Sequence, residues 1–247
     1  MIPKLIHYCW FGRNPLPESA KKCIASWRKF LPDYEIIEWN EDNFDVNSIP
    51  YSAQAYEAKK YAFVSDYARF KILYEHGGVY FDTDVEVIRP MDDIIARGPF
   101  MGFEINPDVN RPYGAVNPGV GMAGKKGLNL YKSVLEYYAQ LNFIQADGSH
   151  NITDAVVNIT TRELIKSGLQ NEAGLQTVAE VTIYPADYFN PFNDATGRLN
   201  KTANTRTIHW YSKTWLNVHP WRQSLSRFVH RFFGTQSVSR IRKIIKK

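Results

Sequence analysis

The chain has little cysteine and no long apolar run. Only two of its 247 residues are cysteines, which excludes a disulfide-stabilised scaffold and indicates small buried thiols in a reducing compartment. No stretch approaches the ~20 apolar residues that span a bilayer. Lys4 and His7 interrupt the apolar stretch near the N-terminus, so we expect no signal peptide. These absences predict a cytoplasmic protein.

Acidic residues are absent after Tyr211, whereas nine Lys or Arg residues follow it. Because the whole chain has 30 basic and 25 acidic residues, the part before this segment carries an excess of negative charge. A nucleic-acid-binding protein usually spreads basic residues over a folded face. The distribution therefore predicts no nucleic-acid partner and a separate electrostatic role for the C-terminal segment.

Apolar periodicity predicts strands that alternate with helices. With 44% hydrophobic residues, the chain is long enough to bury one large core. The pattern favours an α/β fold with a mostly parallel sheet flanked by helices. Strands are predicted at 2–10, 34–40, 79–82, 100–105, about 116–123, 178–184 and 205–210. Helices are predicted at about 20–31, 52–76, 128–143 and 153–166.

Two aspartates follow a short apolar strand in the stretch GGVYFDTDV, residues 77–85. In an extended strand, residues i and i+2 point to the same side, so Asp82 and Asp84 are expected to face one point. Ligands of open α/β sheets bind beyond the carboxyl ends of the strands. Two carboxylates held together there repel each other unless a cation joins them. Their hard oxygens suit Mg²⁺ or Mn²⁺, although an isolated D-x-D also occurs in ordinary turns.

A charged pair lies in the helix before this strand. Asp66 and Arg69 are three residues apart and share one helix face, and that face leads toward the Gly-Gly turn and the same sheet edge. The alternative interpretation is a surface ion pair of small energetic value.

The stretch SDYARFKILYEHGGVYFDTDVEVIRPMDD, residues 65–93, resembles the DXD sugar-binding region of glycosyltransferase family 32. This family includes bacterial capsular-polysaccharide transferases and fungal mannosyltransferases. The stretch is also similar to the same region of the large glucosylating toxins. IPKLIHYCWFG (2–12), FMGFE (100–104) and IHWYSKTW (208–215) resemble other blocks of the family in the same order. The resemblance implies a GT-A fold, a Rossmann-like sheet, over residues 1–215.

The resemblance also implies roles for individual residues. Asp84 would hold the metal directly, and Asp82 would contact ribose, sugar or a metal-bound water. Asp66 and Arg69 match positions that hold the donor sugar's hydroxyl groups. Trp10 would stack on the base, and Tyr80 would be a further donor contact. Ser212 and Trp215 would lie near the diphosphate. His209 would be a third metal ligand. The family more often has Ser before its final Trp, where this chain has Thr214.

Asn117 and Glu104 lie at predicted strand ends, where either side chain could meet sugar hydroxyls. A turn-forming Asn and an exposed Glu are equally ordinary explanations.

The implied activity is the transfer of a hexose from a nucleoside-diphosphate sugar, with a UDP-sugar favoured, to a saccharide acceptor in surface polysaccharide synthesis. The implied family is retaining. No pair of acids can be assigned to a double displacement, so same-face attack with the diphosphate as base is expected. The alternatives are a phosphatase of the haloacid dehalogenase class, which also places D-x-D after a strand, and a non-catalytic carbohydrate- or membrane-binding module.

A basic amphipathic pattern is present in residues 216–247. Leu225, Phe228, Val229 and Phe232 form one helical stripe among arginines. Such a helix suits an anionic membrane surface, which predicts peripheral association with the inner face of the cytoplasmic membrane through 222–247 and a lipid-linked acceptor. A helix that packs on the domain is the alternative.

Overall fold

A single eight-stranded sheet organises the chain, and the computed structural model describes residues 1–212. The strands hydrogen-bond in the order β2-β1-β3-β7-β5-β9-β8, with β6 paired to β5. Five strands (β1, β2, β3, β5 and β9) run in one direction, and β6, β7 and β8 run the other way. The predicted α/β fold with a mostly parallel sheet is confirmed. The sheet strands are β1 Leu5–Cys9, β2 Glu35–Trp39, β3 Gly78–Tyr80, β5 Phe100–Ile105, β6 Ala115–Asn117, β7 Met122–Gly124, β8 Gln176–Val178 and β9 Val181–Tyr184.

Two further ladders lie off this sheet. Strand β4 pairs antiparallel with β12, and β10 pairs antiparallel with β11. The first of these ladders joins residues more than 110 positions apart, because Val87 pairs with Thr207 and Val85 with His209. These strands are β4 Val85–Val87, β10 Phe192–Asn193, β11 Arg198–Leu199 and β12 Thr207–His209.

Helices cover both faces of the sheet and divide the core in two. One hydrophobic cluster includes Phe70 and Tyr131, and the other includes Trp27 and Phe81. No helix within residues 1–212 is long and apolar enough to cross a bilayer. The helices are α1 Glu18–Phe30, α2 Pro50–Glu57, α3 Tyr61–His76, α4 Asp92–Ile95, α5 Asn129–Tyr138, α6 Val156–Lys166 and α7 Ala186–Phe189, with a 3₁₀ turn at Pro118–Val120.

The helix predicted over 52–76 is wrong as one element, because the structure has two. Helix α2 ends at Glu57, and Lys59 adopts a left-handed φ of 56°. The amide of Lys60 then donates to the carbonyl of Ala55, which closes the helix end in the manner of a C-terminal cap. Helix α3 starts afresh at Tyr61 and delivers Asp66 and Arg69 to the sheet edge.

Candidate active site

The two aspartates of the D-x-D stretch lie in a turn rather than in an extended strand. Strand β3 is fully buried and ends at Tyr80. The amide of Val85 then donates to the carbonyl of Asp82 over 3.0 Å, which reverses the chain into β4. The turn takes the chain off the sheet, and β4 pairs with β12 instead. This pairing brings the end of β12, at His209, beside the aspartates.

Asp82, Asp84 and His209 form a group that fits a divalent cation. One oxygen of each carboxylate and one imidazole nitrogen all lie within 4.8 Å of one another. Asp84 Oδ1 and His209 Nε2 are 3.1 Å apart. Neighbouring ligands of an octahedral ion with bonds of about 2.1 Å lie about 3 Å apart, so this spacing suits coordination. Carboxylate oxygens and an imidazole nitrogen are ligands that several divalent metal ions accept.

Asp84 is the better-stabilised anion of the two. Burial alone would raise its pKa, but the charge of His209 and hydrogen bonds from His209 and Ser212 hold the pKa well below its usual range. The amide and hydroxyl of Ser212 both donate to Asp84 Oδ2, over 2.7 and 3.0 Å. Burial raises the pKa of Asp82, although Arg69 opposes the shift. Asp84 is therefore a preformed anionic ligand.

Arg69 holds two carboxylates with one guanidinium. Its Nη2 lies 2.9 Å from Asp66 Oδ1 and 3.2 Å from Asp82 Oδ1. The side chain is 4% exposed, so this is a buried network and the surface-pair interpretation is wrong. Burial raises the pKa of Asp66 to about 7 against the opposing charge of Arg69. The hydroxyl of Tyr80 completes the network by donating to Asp82 Oδ1 over 3.1 Å.

Gly119 is a site residue that the motif search missed. Its amide donates to Asn117 Oδ1 over 2.7 Å, and Asn117 Nδ2 donates to Glu104 Oε2 over 3.1 Å. A Cβ at position 119 would lie 2.1 Å from Asp82 Oδ2 and 3.1 Å from Arg69 Nη1. The Asn-Pro-Gly sequence at 117–119 is a turn signal that could have drawn attention to this close approach.

The remaining predicted donor contacts fall in different places. Trp10 directly follows β1, is half-buried, and donates its indole N–H to the carbonyl of Asn14 over 2.6 Å. The neighbouring strands β1 and β3 are parallel, with His7 opposite Tyr80, so Trp10 lies at the same edge as Asp82. Tyr80 is buried beneath the site, and its contact is with Asp82. Trp215 and the tail at 216–247 lie outside the described residues. The donor-contact roles themselves stay predictions.

Much of the candidate site lies in a stretch of the chain that is similar to known glycosyltransferases. Residues 17–101 match the family described as the glycosyltransferase sugar-binding region containing the DXD motif. The matched stretch contains Asp66, Arg69, Asp82 and Asp84, so the predicted resemblance is confirmed. It ends before Glu104 and His209.

Known proteins resemble the chain in part or along most of its length. Inositol phosphoceramide mannosyltransferase 1 of Schizosaccharomyces pombe is 30% identical over 40% of this chain and 33% of its own length. An uncharacterized glycosyltransferase of Acanthamoeba polyphaga mimivirus is 25% identical over 78% of this chain and 74% of its own. The chain therefore spans about a third of the mannosyltransferase and about three quarters of the viral protein.

One solved structure supports the fold assignment. The PaToxG glycosyltransferase superposes on this chain with a TM-score of 0.52 and 20% sequence identity, covering 67% of this chain and 69% of the other. The GT-A fold expected from the resemblance is thereby confirmed.

Proposed function

We propose that the chain is a metal-dependent retaining glycosyltransferase. Its donor is a nucleoside-diphosphate hexose, a UDP-sugar in the first instance, and its acceptor is a saccharide. The observation that carries the proposal is the meeting of the buried Asp66–Arg69–Asp82 network with the Asp82–Asp84–His209 group at one sheet edge. Hydrogen-bonding groups for a sugar and ligands for a cation thus share Asp82.

The metal would be held by Asp84, Asp82 and His209. When bound, it would supply positive charge next to the diphosphate and so stabilise the departing nucleoside diphosphate. The chain's own groups fit this placement, because Ser212 fixes one oxygen of Asp84 and leaves Oδ1 facing His209 Nε2. The imidazole must lose the proton it shares with Asp84 to bind the ion.

The remaining residues bind and orient the donor. Arg69 and Asp66 would hold the hexose hydroxyl groups, since their charged hydrogen-bonding groups are fixed by the network and lose little entropy on binding. Trp10 would stack on the base at the end of β1, an interaction worth about 1–3 kcal/mol by analogy with base–aromatic stacking. Asn117 would meet the sugar from the turn that follows β6.

The chemical step conserves all atoms of donor and acceptor. The acceptor oxygen bonds to the anomeric carbon, the bond from that carbon to the diphosphate oxygen breaks, and its electron pair stays on the diphosphate. The hydroxyl proton passes to the diphosphate. Asp66, Asp82 and Asp84 are each engaged by Arg69, His209 or Ser212, so none of them is free to attack carbon. This supports attack on the same face as the leaving group, with retained configuration.

A donor panel tests the proposal. UDP- and GDP-hexoses are added with Mn²⁺, and Tm and nucleotide release are measured. A donor at 100 times its Kd stabilises the folded state by about 2.7 kcal/mol, which for a chain of this size raises Tm by about 5–10 °C. Asp84→Ala should lower donor turnover by more than about 100-fold.

The exposed Asp92→Ala is the matched control and should keep full activity, since Asp92 lies on α4 away from the turn. Full turnover by Asp84→Ala, or by the wild-type chain in EDTA, would exclude the metal-dependent mechanism. A product whose anomeric configuration, read from the NMR coupling of the anomeric proton, is opposite to that of the donor would exclude retention.

We also propose that residues 222–247 bind an anionic membrane surface and bring the enzyme to a lipid-linked acceptor on the inner face of the cytoplasmic membrane, in surface polysaccharide synthesis such as that of capsules. The support is the sequence alone: arginines and lysines without acids beside a Leu/Phe stripe. Deleting 222–247 should abolish co-sedimentation with phosphatidylglycerol vesicles while donor turnover persists. Unchanged sedimentation would contradict this role.

A further inference from the structure

A cleft opens at the carboxyl edge of the sheet on the side of β5 and β9. Its volume is about 480 Å³, within the range of about 300–1,000 Å³ typical of small-molecule sites. Its walls come from the end of β5, from α7 and the β10–β11 hairpin, and from the residue pair that follows β12. The lining residues are Glu104, Ile105, Asp187, Asn190, Pro191, Phe192, Asn193, Asp194, Ala195, Asn200 and Tyr211.

The charge of the cleft excludes a phosphate ligand. Three carboxylates line it, those of Glu104, Asp187 and Asp194, and no Lys or Arg is among the described residues of its wall. A diphosphate or nucleotide would be repelled there. Neutral hydroxyl groups, in contrast, donate hydrogen bonds to carboxylate and amide oxygens. The cleft therefore selects an uncharged polyhydroxylated ligand over the donor.

Polar atoms of the cleft are positioned by a network of their own. Asn190 is nine-tenths buried, and its Nδ2 donates to the Tyr211 hydroxyl over 2.9 Å and to the Glu104 carbonyl over 3.2 Å. Its Oδ1 has no hydrogen-bond partner within the part of the chain that is described. A buried acceptor without a donor costs about 1–3 kcal/mol, and a ligand hydroxyl would remove that cost.

Aromatic rings supply the apolar side of the cleft. Phe192 lines it and packs against Trp210 with ring centroids 5.4 Å apart. Tyr211, two residues after the end of β12, also lines the cleft. Its φ of 50° is an uncommon left-handed backbone for a bulky residue. Rings beside hydrogen-bonding groups suit a sugar, which has apolar C–H faces and polar edges.

The cleft adjoins the metal ligands. The rings of Tyr211 and His209 are 4.1 Å apart between centroids. Glu104 accepts from Asn117, Asn117 accepts from Gly119, and the Gly119 carbonyl accepts from the amide of Asp82 over 3.3 Å. The cleft is thus connected to His209 directly through Tyr211, and to Asp82 through Asn117 and Gly119.

We infer that this cleft is the acceptor site and that it binds a neutral saccharide, with Glu104 as the residue that orients the attacking hydroxyl. The inference rests on the proposed function for the identity of its ligand as acceptor. A phosphate of a lipid-linked acceptor would stay outside the cleft, and only its sugar would enter.

Binding of p-nitrophenyl hexosides tests the inference separately from donor chemistry. Saturation-transfer NMR is recorded with a panel of α- and β-glucosides, galactosides, mannosides and N-acetylglucosaminides. At least one should bind the wild-type chain, and it should bind Asp84→Ala equally well, because Asp84 is not one of the residues that line the cleft. Asn200→Ala and Glu104→Gln should each lower the affinity for this hexoside at least about 10-fold. Asn129 is an exposed residue of α5, and Asn129→Ala should leave the affinity unchanged.

A cooperative thermal unfolding transition without added ligand shows that each variant is folded. Hexoside binding that survives both cleft substitutions, the absence of binding by any hexoside, or displacement of the hexoside by UDP without Mn²⁺ would each overturn the assignment. If a hexoside binds but no donor is turned over, the proposed transfer reaction is contradicted and the assignment of the cleft as a saccharide-binding site is kept.

Discussion

At the scale of single residues, the Arg69 side chain forms ion pairs with two carboxylates, those of Asp66 and Asp82. The Arg69 guanidinium lies between Asp66 and Asp82, so the buried trio carries an excess of negative charge when both acids are ionised. A divalent cation beside Asp82 would reduce that excess, which would couple metal binding to the geometry of the Asp66–Arg69 pair. Arg69 cannot be replaced by Lys without loss, because Nη2 contacts both carboxylates while Nε donates to the carbonyl of Ser65 over 3.1 Å, and a single ammonium lacks this second donor.

Gly119→Ala is a test of this coupling that leaves every charged group in place. The added methyl group would lie 2.1 Å from Asp82 Oδ2, so the carboxylate must move away from its partners. We expect a correctly folded protein in which Mn²⁺ affinity and donor turnover fall by about 10–100-fold, the range seen when supporting groups of a metal site are altered. Isothermal titration with Mn²⁺ and a donor assay measure this.

Gly148→Ala provides the comparison, because a Cβ there meets nothing within 4 Å. Its positive φ of 79° makes the substitution costly to the backbone, so this variant reports strain without a clash in the site. Wild-type Mn²⁺ affinity in Gly119→Ala would show that Asp82 is not held by close packing.

At the scale of elements, the first three parallel strands are joined by a buried histidine. His7 on β1 donates its Nε2–H to the carbonyl of Gly77 over 2.9 Å, and Trp39 on β2 donates its indole N–H to His7 Nδ1 over 3.0 Å. Both nitrogens of the neutral ring are therefore satisfied. Burial disfavours the charged ring and lowers the pKa of His7 from 6.5 to about 4, although the hydrogen bond to Gly77 opposes this shift. A proton on Nδ1 would also face the indole donor of Trp39.

The pKa of His7 predicts one contribution that destabilises the fold in mild acid. The unfolded chain binds the proton of His7 near pH 6.5 and the folded chain only near pH 4, so between these values His7 holds more protons in the unfolded state. The contribution of His7 to the free energy of unfolding should therefore fall by about 3 kcal/mol as the pH falls through this window. Asp66, whose pKa burial raises to about 7, contributes with the opposite sign over the same window, so the His7 contribution is read as the difference in slope between the wild type and His7→Gln. Urea unfolding at pH 7, 6, 5 and 4 measures the slope.

His7→Gln keeps a donor for the Gly77 carbonyl and removes the titration, so its free energy of unfolding should rise relative to that of the wild type as the pH falls from 6.5 to 4. Trp39→Phe removes the opposing indole N–H and should reduce the same slope by raising the His7 pKa. Equal slopes in all three proteins would assign the acid sensitivity to other groups.

Several elements were predictable from the sequence because local chemistry decides them. Strand 100–105 and the glycine that ends α3 follow from apolar content and backbone freedom. The break at Lys59 was not predictable, because a lysine with positive φ has no sequence signature and the apolar pattern continues across it. The convergence of Asp82 and Asp84 was expected from strand periodicity, yet it arises from a turn whose direction depends on β12. Glu104 and Asn117 could be suspected at strand ends, but the cleft needs residues 187–211, which no local pattern connects to them.

At the scale of the whole molecule, β12 connects the C-terminal part of the described chain to the turn that carries Asp82 and Asp84. It contacts β4 through three residue pairs and delivers His209 and Ser212 to a turn 125 or more residues earlier in the chain. A metal bound to both segments should stabilise this ladder, because anything that binds only the closed arrangement opposes its local opening.

Hydrogen exchange tests this link between distant segments. On addition of Mn²⁺, the amides of Thr207–His209 and Val85–Val87 should exchange more slowly, whereas those of the β10–β11 hairpin should not change. The effect should be absent in Asp84→Asn, which keeps the side-chain shape but loses the anion. Slower exchange across all strands alike would indicate a global effect, and no change at β12 would mean that the ion does not join the two segments.

The β4–β12 pairing also has a consequence for the order in which the protein is made. Asp82 and Asp84 are synthesised within the first 84 residues, but His209 and Ser212, which contact Asp84, come more than 120 residues later. A chain still under synthesis, or one cut between β9 and β12, can fold much of its sheet and still lack the histidine and serine that complete the cation site. The Asp82–Asp84–His209 group is therefore complete only once residues 207–212 have been added to the chain.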